Sequence, residues 1–223
     1  VKCLIQAHPA RSDLAEGLLE CLGEAEIVYD PDPDSPHRSP WRTYRACLER
    51  GLSEDAGSVL ILQEDVLICG RLLEGVEMAA AARPDRPLAF FVPGKPTSYT
   101  NAIYRARVAG AAWAELPLGT WAPVVASLWP AELAARLLAW YDAANLARPW
   151  SADDEIVGRF LAQIKTPMLA SVPSLVEHPD TEPSVMNGNR RVGDGLDPHR
   201  RAYFFIGDDP DYGCDATAIN WSS

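Results

Sequence analysis

Short apolar runs alternate with amphipathic stretches along this chain, and that rhythm predicts its elements. Residues 3–7 form an apolar run of strand length, Leu14, Leu18, Leu19 and Leu22 recur at helical spacing, and residues 26–29 read as a second strand. Ser12 or Asp13 is placed to cap the intervening helix, with Glu16 completing a capping box. A helix over 41–52 turns Trp41, Tyr44, Cys47 and Leu48 inward, and an acidic linker leads to the branched run Ser58-Val59-Leu60-Ile61-Leu62. Such a run reads as a strand buried on both faces of a parallel sheet. The β-α-β order predicts an α/β fold, with a mostly parallel, Rossmann-like central sheet flanked by helices.

Further on, the pattern predicts a helix over 71–82, a strand over 88–92, a helix over 101–109 and a near-edge strand over 111–116. Residues 118–128 read as an aromatic loop, and 129–145 as an amphipathic helix with Pro130 in its first turn. Another helix opens at 151–157, a short strand follows at 167–173, and 202–206 read as a strand or packing segment. Residues 1–190 are expected to form the domain, with 191–223 an Asp/Gly/Pro-rich tail packing on or near it.

A chain of 223 residues with 48% hydrophobic and 23% charged residues can bury a sizeable core. Its net charge of −11 argues against broad attraction to nucleic-acid backbones. The five cysteines show no zinc-ligand spacing, and four of them read as reduced core residues of a cytoplasmic protein. No apolar run has membrane-spanning length and the first residues lack a signal-peptide pattern, so no membrane insertion is expected. Trp113, Trp121, Trp129, Trp140 and Trp150 read first as core or pocket walls and only second as stacking surfaces for a ligand.

The chemistry concentrates where strands end. The third strand runs into Glu64 and Asp65 before Val66, Leu67 and Ile68 resume. Adjacent acids between core-forming residues need a compensating cation or ligand, unless they occupy a turn and point to water. In open α/β sheets, ligands bind beyond the carboxyl ends of the strands. That places a divalent metal and a diphosphate at Glu64 and Asp65, and a nucleotide at His8, Arg11 and Asp30 after the first two strands. Asp30 is equally read as turn chemistry beside Pro31 and Pro33. Asp153 and Asp154 suit both the first turn of a helix and a general base in a pocket, and neither use excludes the other. His178 ends an apolar element, where a histidine is usually structural and sometimes a metal ligand. Residues 182–190, including Ser184 and Arg190, have the small, polar, basic character of a phosphate-contacting loop.

Several separated motifs then line up: His8-Pro9-Ala10-Arg11, Asp30, Trp41-Arg42-Thr43-Tyr44, Leu60-Ile61-Leu62-Gln63-Glu64-Asp65-Val66, Ser151-Ala152-Asp153-Asp154, Pro173-Ser174-Leu175-Val176-Glu177-His178 and Pro183-Ser184. Together they resemble a small glycosyltransferase of the GT-A fold, of bacterial or phage type. The resemblance covers roughly residues 1–190. It implies a nucleotide-sugar donor, often UDP-linked, and a Mn²⁺ or Mg²⁺ ion. On this resemblance Asp65 and His178 bind the metal, Glu64 lies near the ribose or sugar, and Asp153-Asp154 contact acceptor or sugar. Gln63 stands where many members carry an acid, which puts metal dependence in question. Asp154 is the first choice for the base that deprotonates an acceptor hydroxyl, with Asp153 second. The acceptor is open: a glycan, a small molecule, a protein or a modified DNA base. Two rival functions follow from the same residues, a non-catalytic sugar-nucleotide or glycan-binding module and a metal-dependent phosphoesterase.

Overall fold

The computed structural model describes residues 1–36, 39–144, 152–179 and 201–223. Ser151, Ser184 and Arg190, and with them the expected phosphate loop and the domain boundary near 190, lie outside the described residues.

The chain opens with β1 (Lys2–Ala7), α1 (Ser12–Leu22), β2 (Glu26–Tyr29), α2 (Pro40–Ser53) and β3 (Ser58–Gln63). It continues through β4 (Leu67–Ile68), α3 (Leu72–Ala82), β5 (Leu88–Ala89), α4 (Thr97–Val108) and β6 (Trp113–Glu115). Then come β7 (Ala126–Pro130), α5 (Ala131–Ala143), α6 (Asp153–Ile164), β8 (Leu169–Ser171) and β9 (Val176–Glu177). Seven strands form one sheet in the order β2-β1-β3-β7-β5-β8-β6, and β4 pairs with β9 in a separate ribbon. β1, β2, β3, β5 and β8 run one way, while β7 and β6 run against them.

The inner strands β1, β3 and β7 are mostly apolar because both faces are covered. Successive side chains point to opposite faces, so Leu4 and Ile61 join a core under α2, α4, α5 and α6, containing Tyr44, Trp129 and Phe160. Ile5, Leu60 and Leu62 join the opposite core under α1 and α3, with Phe90 and Trp221. The C-terminal residues are part of that second core: Ile206, Ala216, Ile219 and Trp221 are buried, and the Trp113 indole donates to the Trp221 carbonyl at 3.0 Å. Gly75 makes this approach possible, since a Cβ there would fall 2.3 Å from the Ala216 Cβ.

The largest departure from the pattern is β7. Residues 126–130 were expected to divide between a loop and a helix, but form a strand buried at every position, with Pro130 as the residue before α5. A short apolar run buried on both faces carries no periodicity to distinguish it from a helix start. Its place between β3 and β5 is fixed by buried polar contacts: Tyr44 Oη and Ser127 Oγ share a 2.7 Å hydrogen bond, and the Trp129 indole donates to Tyr44 Oη at 2.6 Å.

Smaller corrections share local causes. The expected capping box before α1 is not formed; Pro9–Arg11 make a 3₁₀ turn first, and His8 Nδ1 accepts the Ala10 N–H at 3.1 Å. The strand expected over 88–92 is paired as β5 only at Leu88–Ala89, and α4 begins a turn before residue 101. Residues 202–206 form isolated bridges and packing contacts, with Pro93 pairing Ala202 and Ser174 pairing Phe205. Among the cysteines read as core, Cys3, Cys47 and Cys69 are buried but Cys21 is exposed on α1. Among the described residues no helix is long and apolar enough to cross a membrane.

Candidate functional site

The carboxyl ends of β1, β2 and β3 lie side by side, joined by the Asp30 N–H to the Ala7 carbonyl at 2.9 Å and the Glu64 N–H to the Gln6 carbonyl at 3.2 Å. This parallel register brings His8, Asp30 and the Glu64-Asp65 pair to one edge of the sheet.

At the end of β3 the acids do not point freely to water. Arg11 turns inward and its Nη1 meets Asp65 Oδ2 at 2.7 Å and Glu64 Oε1 at 3.2 Å. His178 Nε2 reaches the other Asp65 oxygen at 3.3 Å. Burial opposes ionisation of Asp65, but the His178 imidazole and the Arg11 guanidinium hold its carboxyl well below the usual range. Burial and the adjacent Asp65 charge instead push Glu64 up to about 7. Arg11, expected beside a nucleotide, thus supplies the compensating charge that two buried carboxylates require.

His178 is carried by the loop leaving β9. Its own N–H and that of Ala202 donate to Glu177 Oε1, both at 2.8 Å, while Arg201 donates to Glu177 Oε2 at 3.1 Å. The buried Glu177 carboxylate therefore clasps the returning C-terminal segment and fixes the backbone that aims His178.

Asp30 sits at the end of β2 in a bidentate pair with Arg42 of α2, at 2.6 and 2.8 Å. Its Oδ1 also accepts the Asp32 N–H at 3.1 Å, so turn chemistry and ion pairing coexist. Burial opposes its charge, and Arg42 outweighs burial to lower the pKa. His8 lies half-buried beside this pair, its Nδ1 engaged by the 3₁₀ turn.

The acid pair starting α6 divides its roles. Asp153 is buried; its Oδ2 accepts from Gln6 Nε2 at 3.2 Å and its Oδ1 from the Asp154 N–H at 3.0 Å. Gln6 also donates to the Pro40 carbonyl at 3.1 Å, tying α6 and the start of α2 to β1. Burial and the neighbouring Asp154 charge push Asp153 up to about 6. Asp154 is half-buried; it accepts the Glu155 N–H at 2.7 Å and a short bond from the Trp121 indole N–H. Burial raises its pKa, against the lowering effect of that Trp121 bond. No side chain caps α6, since Ala152 occupies the N-cap.

A cleft of ≈ 190 Å³ joins these parts, lined by Gln63, Phe91, Pro93, Trp121, Val124, Val125, Asp153, Asp154 and His178. It gathers Asp153, Asp154 and His178 from distant parts of the chain, with Asp65 behind His178. Asp30 and His8 stand outside its lining, at the ends of the neighbouring strands. Sequence reasoning missed Gln6 and the inward turn of Arg11. The signals were present: a polar residue inside the apolar run Cys3-Leu4-Ile5-Gln6-Ala7, and a single arginine just beyond it.

A divalent ion can be tested against this geometry. Octahedral Mg²⁺ takes ligands near 2.1 Å, so neighbouring ligands lie about 3 Å apart. The 3.3 Å between His178 Nε2 and Asp65 Oδ1 suits two such ligands. Among the described residues no group of three or more His, Cys, Asp or Glu side chains gathers to hold a metal, so substrate oxygens and water would have to complete the shell.

No family model matches the chain, and no curated protein matches it either.

Proposed function

We propose that this chain is a glycosyltransferase of GT-A type, moving a sugar from a nucleotide-sugar donor, a UDP-sugar in the first instance, to an acceptor hydroxyl. The observation carrying this reading is the convergence of His178, Asp153 and Asp154 on one cleft at the carboxyl edge of the sheet, with Asp65 paired to His178. In the reaction the bond from the anomeric carbon to the diphosphate oxygen breaks, and the electron pair leaves with the nucleoside diphosphate. The acceptor oxygen bonds to that carbon, and its proton passes to Asp154. Asp30 and His8 take the nucleoside half, Arg11 offsets charge near the diphosphate, and Glu64 faces the ribose or sugar. Asp65 and His178 would hold Mn²⁺ or Mg²⁺, which when bound neutralises charge on the departing diphosphate.

Asp154 suits the base because, of the two acids lining the cleft, it is the half-buried one, whereas Asp153 is fully buried against Gln6 and the helix backbone. A second reading, a sugar-nucleotide-binding module without transfer, is favoured by Gln63 in place of an acid and by Arg11 already sitting on Asp65. A phosphoesterase is the weaker rival, since two-metal chemistry needs more ligands than Asp65 and His178 provide.

The test is a panel of nucleotide sugars with Mn²⁺, scored by thermal shift and by mass spectrometry of products with candidate hydroxyl acceptors. A glycosylated product, or slow donor hydrolysis lost in Asp154→Asn, supports the transferase. Saturable donor binding with neither product selects the binding module. Phosphate release from simple esters without sugar products selects the phosphoesterase.

A further inference from the structure

The segment between β6 and β7 is held against α6 and α4 by four contacts. The Trp121 indole N–H donates to Asp154 Oδ2, and the Ala122 N–H donates to the Asp154 carbonyl at 3.1 Å. Tyr99 Oη, from α4, donates to the Trp121 carbonyl at 2.7 Å, and the two rings lie 5.6 Å apart. The fourth contact is backbone on backbone: a Cβ at Gly158 would fall 2.3 Å from Trp121 N and 2.6 Å from the Thr120 carbonyl carbon. Only a residue without a side chain lets α6 approach the loop this closely. Trp121 and Asp154 are both half-buried and both line the cleft. A loop wanted merely as cover would not need its single indole donor delivered to the half-buried one of the two carboxylates lining the cleft.

We propose that Trp121 is the positioning residue of Asp154, holding one carboxylate oxygen through its indole N–H so that the lone pairs left over meet an acceptor hydroxyl in the cleft. This rests on the transferase reading above. A carboxylate offers about four lone-pair sites; Trp121 and the Glu155 N–H take one each. The donor from Trp121 stabilises the ionised form, which burial disfavours. The other ionisable groups around Asp154 are Asp153 and Glu155 on α6 and His178 across the cleft. Of these, the Glu155 charge opposes its ionisation, and the Trp121 indole is the largest counterweight, with the Glu155 N–H beside it.

The test is the titration of the Asp154 carboxyl carbon, followed by ¹³C NMR in wild type and in Trp121→Phe, which keeps the aromatic wall and deletes the N–H. Asp154→Asn assigns the signal. The midpoint should rise by roughly one pH unit, the size expected for one lost hydrogen bond to a carboxylate. An unchanged midpoint in a folded variant overturns the proposal. If Trp121→Phe does not fold, the wild-type Trp121 indole ¹⁵N–H resonance decides: it should titrate with Asp154 and lose that titration in Asp154→Asn. An indole signal indifferent to that substitution overturns the proposal as well. With an active donor pair, Trp121→Phe should lower kcat at least tenfold and leave donor affinity unchanged, whereas loosened folding alone would lower both. The NMR titration needs no turnover, so a chain that transfers no sugar refutes the proposed function while this inference is still decided by its own measurement.

Discussion

His178 Nε2 lies 3.3 Å from Asp65 Oδ1, although one residue follows β9 and the other follows β3. The pair brings together an imidazole and a carboxylate at the spacing of neighbouring metal ligands, with Arg11 on the second carboxylate oxygen. Mn²⁺ should therefore strengthen binding of a UDP-sugar to the wild type, and chelation should weaken it. In Asp65→Asn the affinity should match that of the chelated wild type whether or not metal is added. Calorimetric titrations with Mn²⁺ and with EDTA check this, and identical wild-type affinities in the two would remove the metal from the site.

Asp30 and Arg42 make a different kind of site, a bidentate pair beside His8. Asp30→Ala should weaken UDP and the intact UDP-sugar by the same factor, because the proposed function assigns it to the nucleoside half alone. Asp30 is buried and Arg42 only partly exposed, so losing the carboxylate and its bond to the Asp32 N–H should also lower stability, by about 1–3 kcal/mol. A selective loss of UDP-sugar affinity would instead move Asp30 to the sugar end.

Asp154→Asn separates a helix-end acid from a base. An asparagine can keep only one of the bonds from the Trp121 indole and the Glu155 N–H, which go to different carboxylate oxygens, and it cannot take a proton. Transfer should fall by roughly 10²–10⁴-fold, with donor affinity retained and stability lowered by only about 1–2 kcal/mol for the lost bond. Near wild-type turnover accompanied by earlier melting would make Asp154 a structural acid.

Asp153→Asn makes a prediction of opposite sign, in stability. Burial holds the folded Asp153 near a pKa of about 6, above its ordinary value of 3.8. Below pH 4 both folded and unfolded chains carry the proton, and the acid costs nothing. Between pH 4 and 6 the unfolded chain ionises first, so wild-type stability drains away and stays lower above pH 6. Asparagine has no such loss. The stability gap between variant and wild type should move in the variant's favour by about 3 kcal/mol between pH 3 and pH 8, a change in which any pH-independent loss at Gln6 cancels. Chemical denaturation at both pH values measures it; equal gaps would show that the folded Asp153 pKa is not raised.

The sequence made the first half of the sheet legible because β1, β2 and β3 pair in parallel, and their apolar runs end in turns that contain the polar residues. The position of the acids at the end of β3 follows from that alone. What fills the space around them does not, because the ion pair between Arg11 and Asp65 and the hydrogen bond from Gln6 to Asp153 depend on which segments fold back and not on spacing. β7 was illegible for a related reason: Ala126 to Pro130 is short, and its antiparallel insertion is decided by partners on β3, β5 and α2. Trp121 was visible only as one aromatic among several, since the closeness of Gly158 that gives it a role is a tertiary fact.

The sheet order has a consequence for how the chain is made. β1, β2 and β3 are contiguous in synthesis and can pair as soon as Gln63 has emerged. The free side of β3, however, waits for β7, with α3, α4 and three further strands lying between them in the chain. During that interval an apolar strand offers an unpaired row of N–H and C=O groups to any neighbour. The nascent protein thus passes through a stage whose most exposed edge is its future centre, and slowed translation between residues 63 and 126 should raise aggregation more than slowing after residue 130.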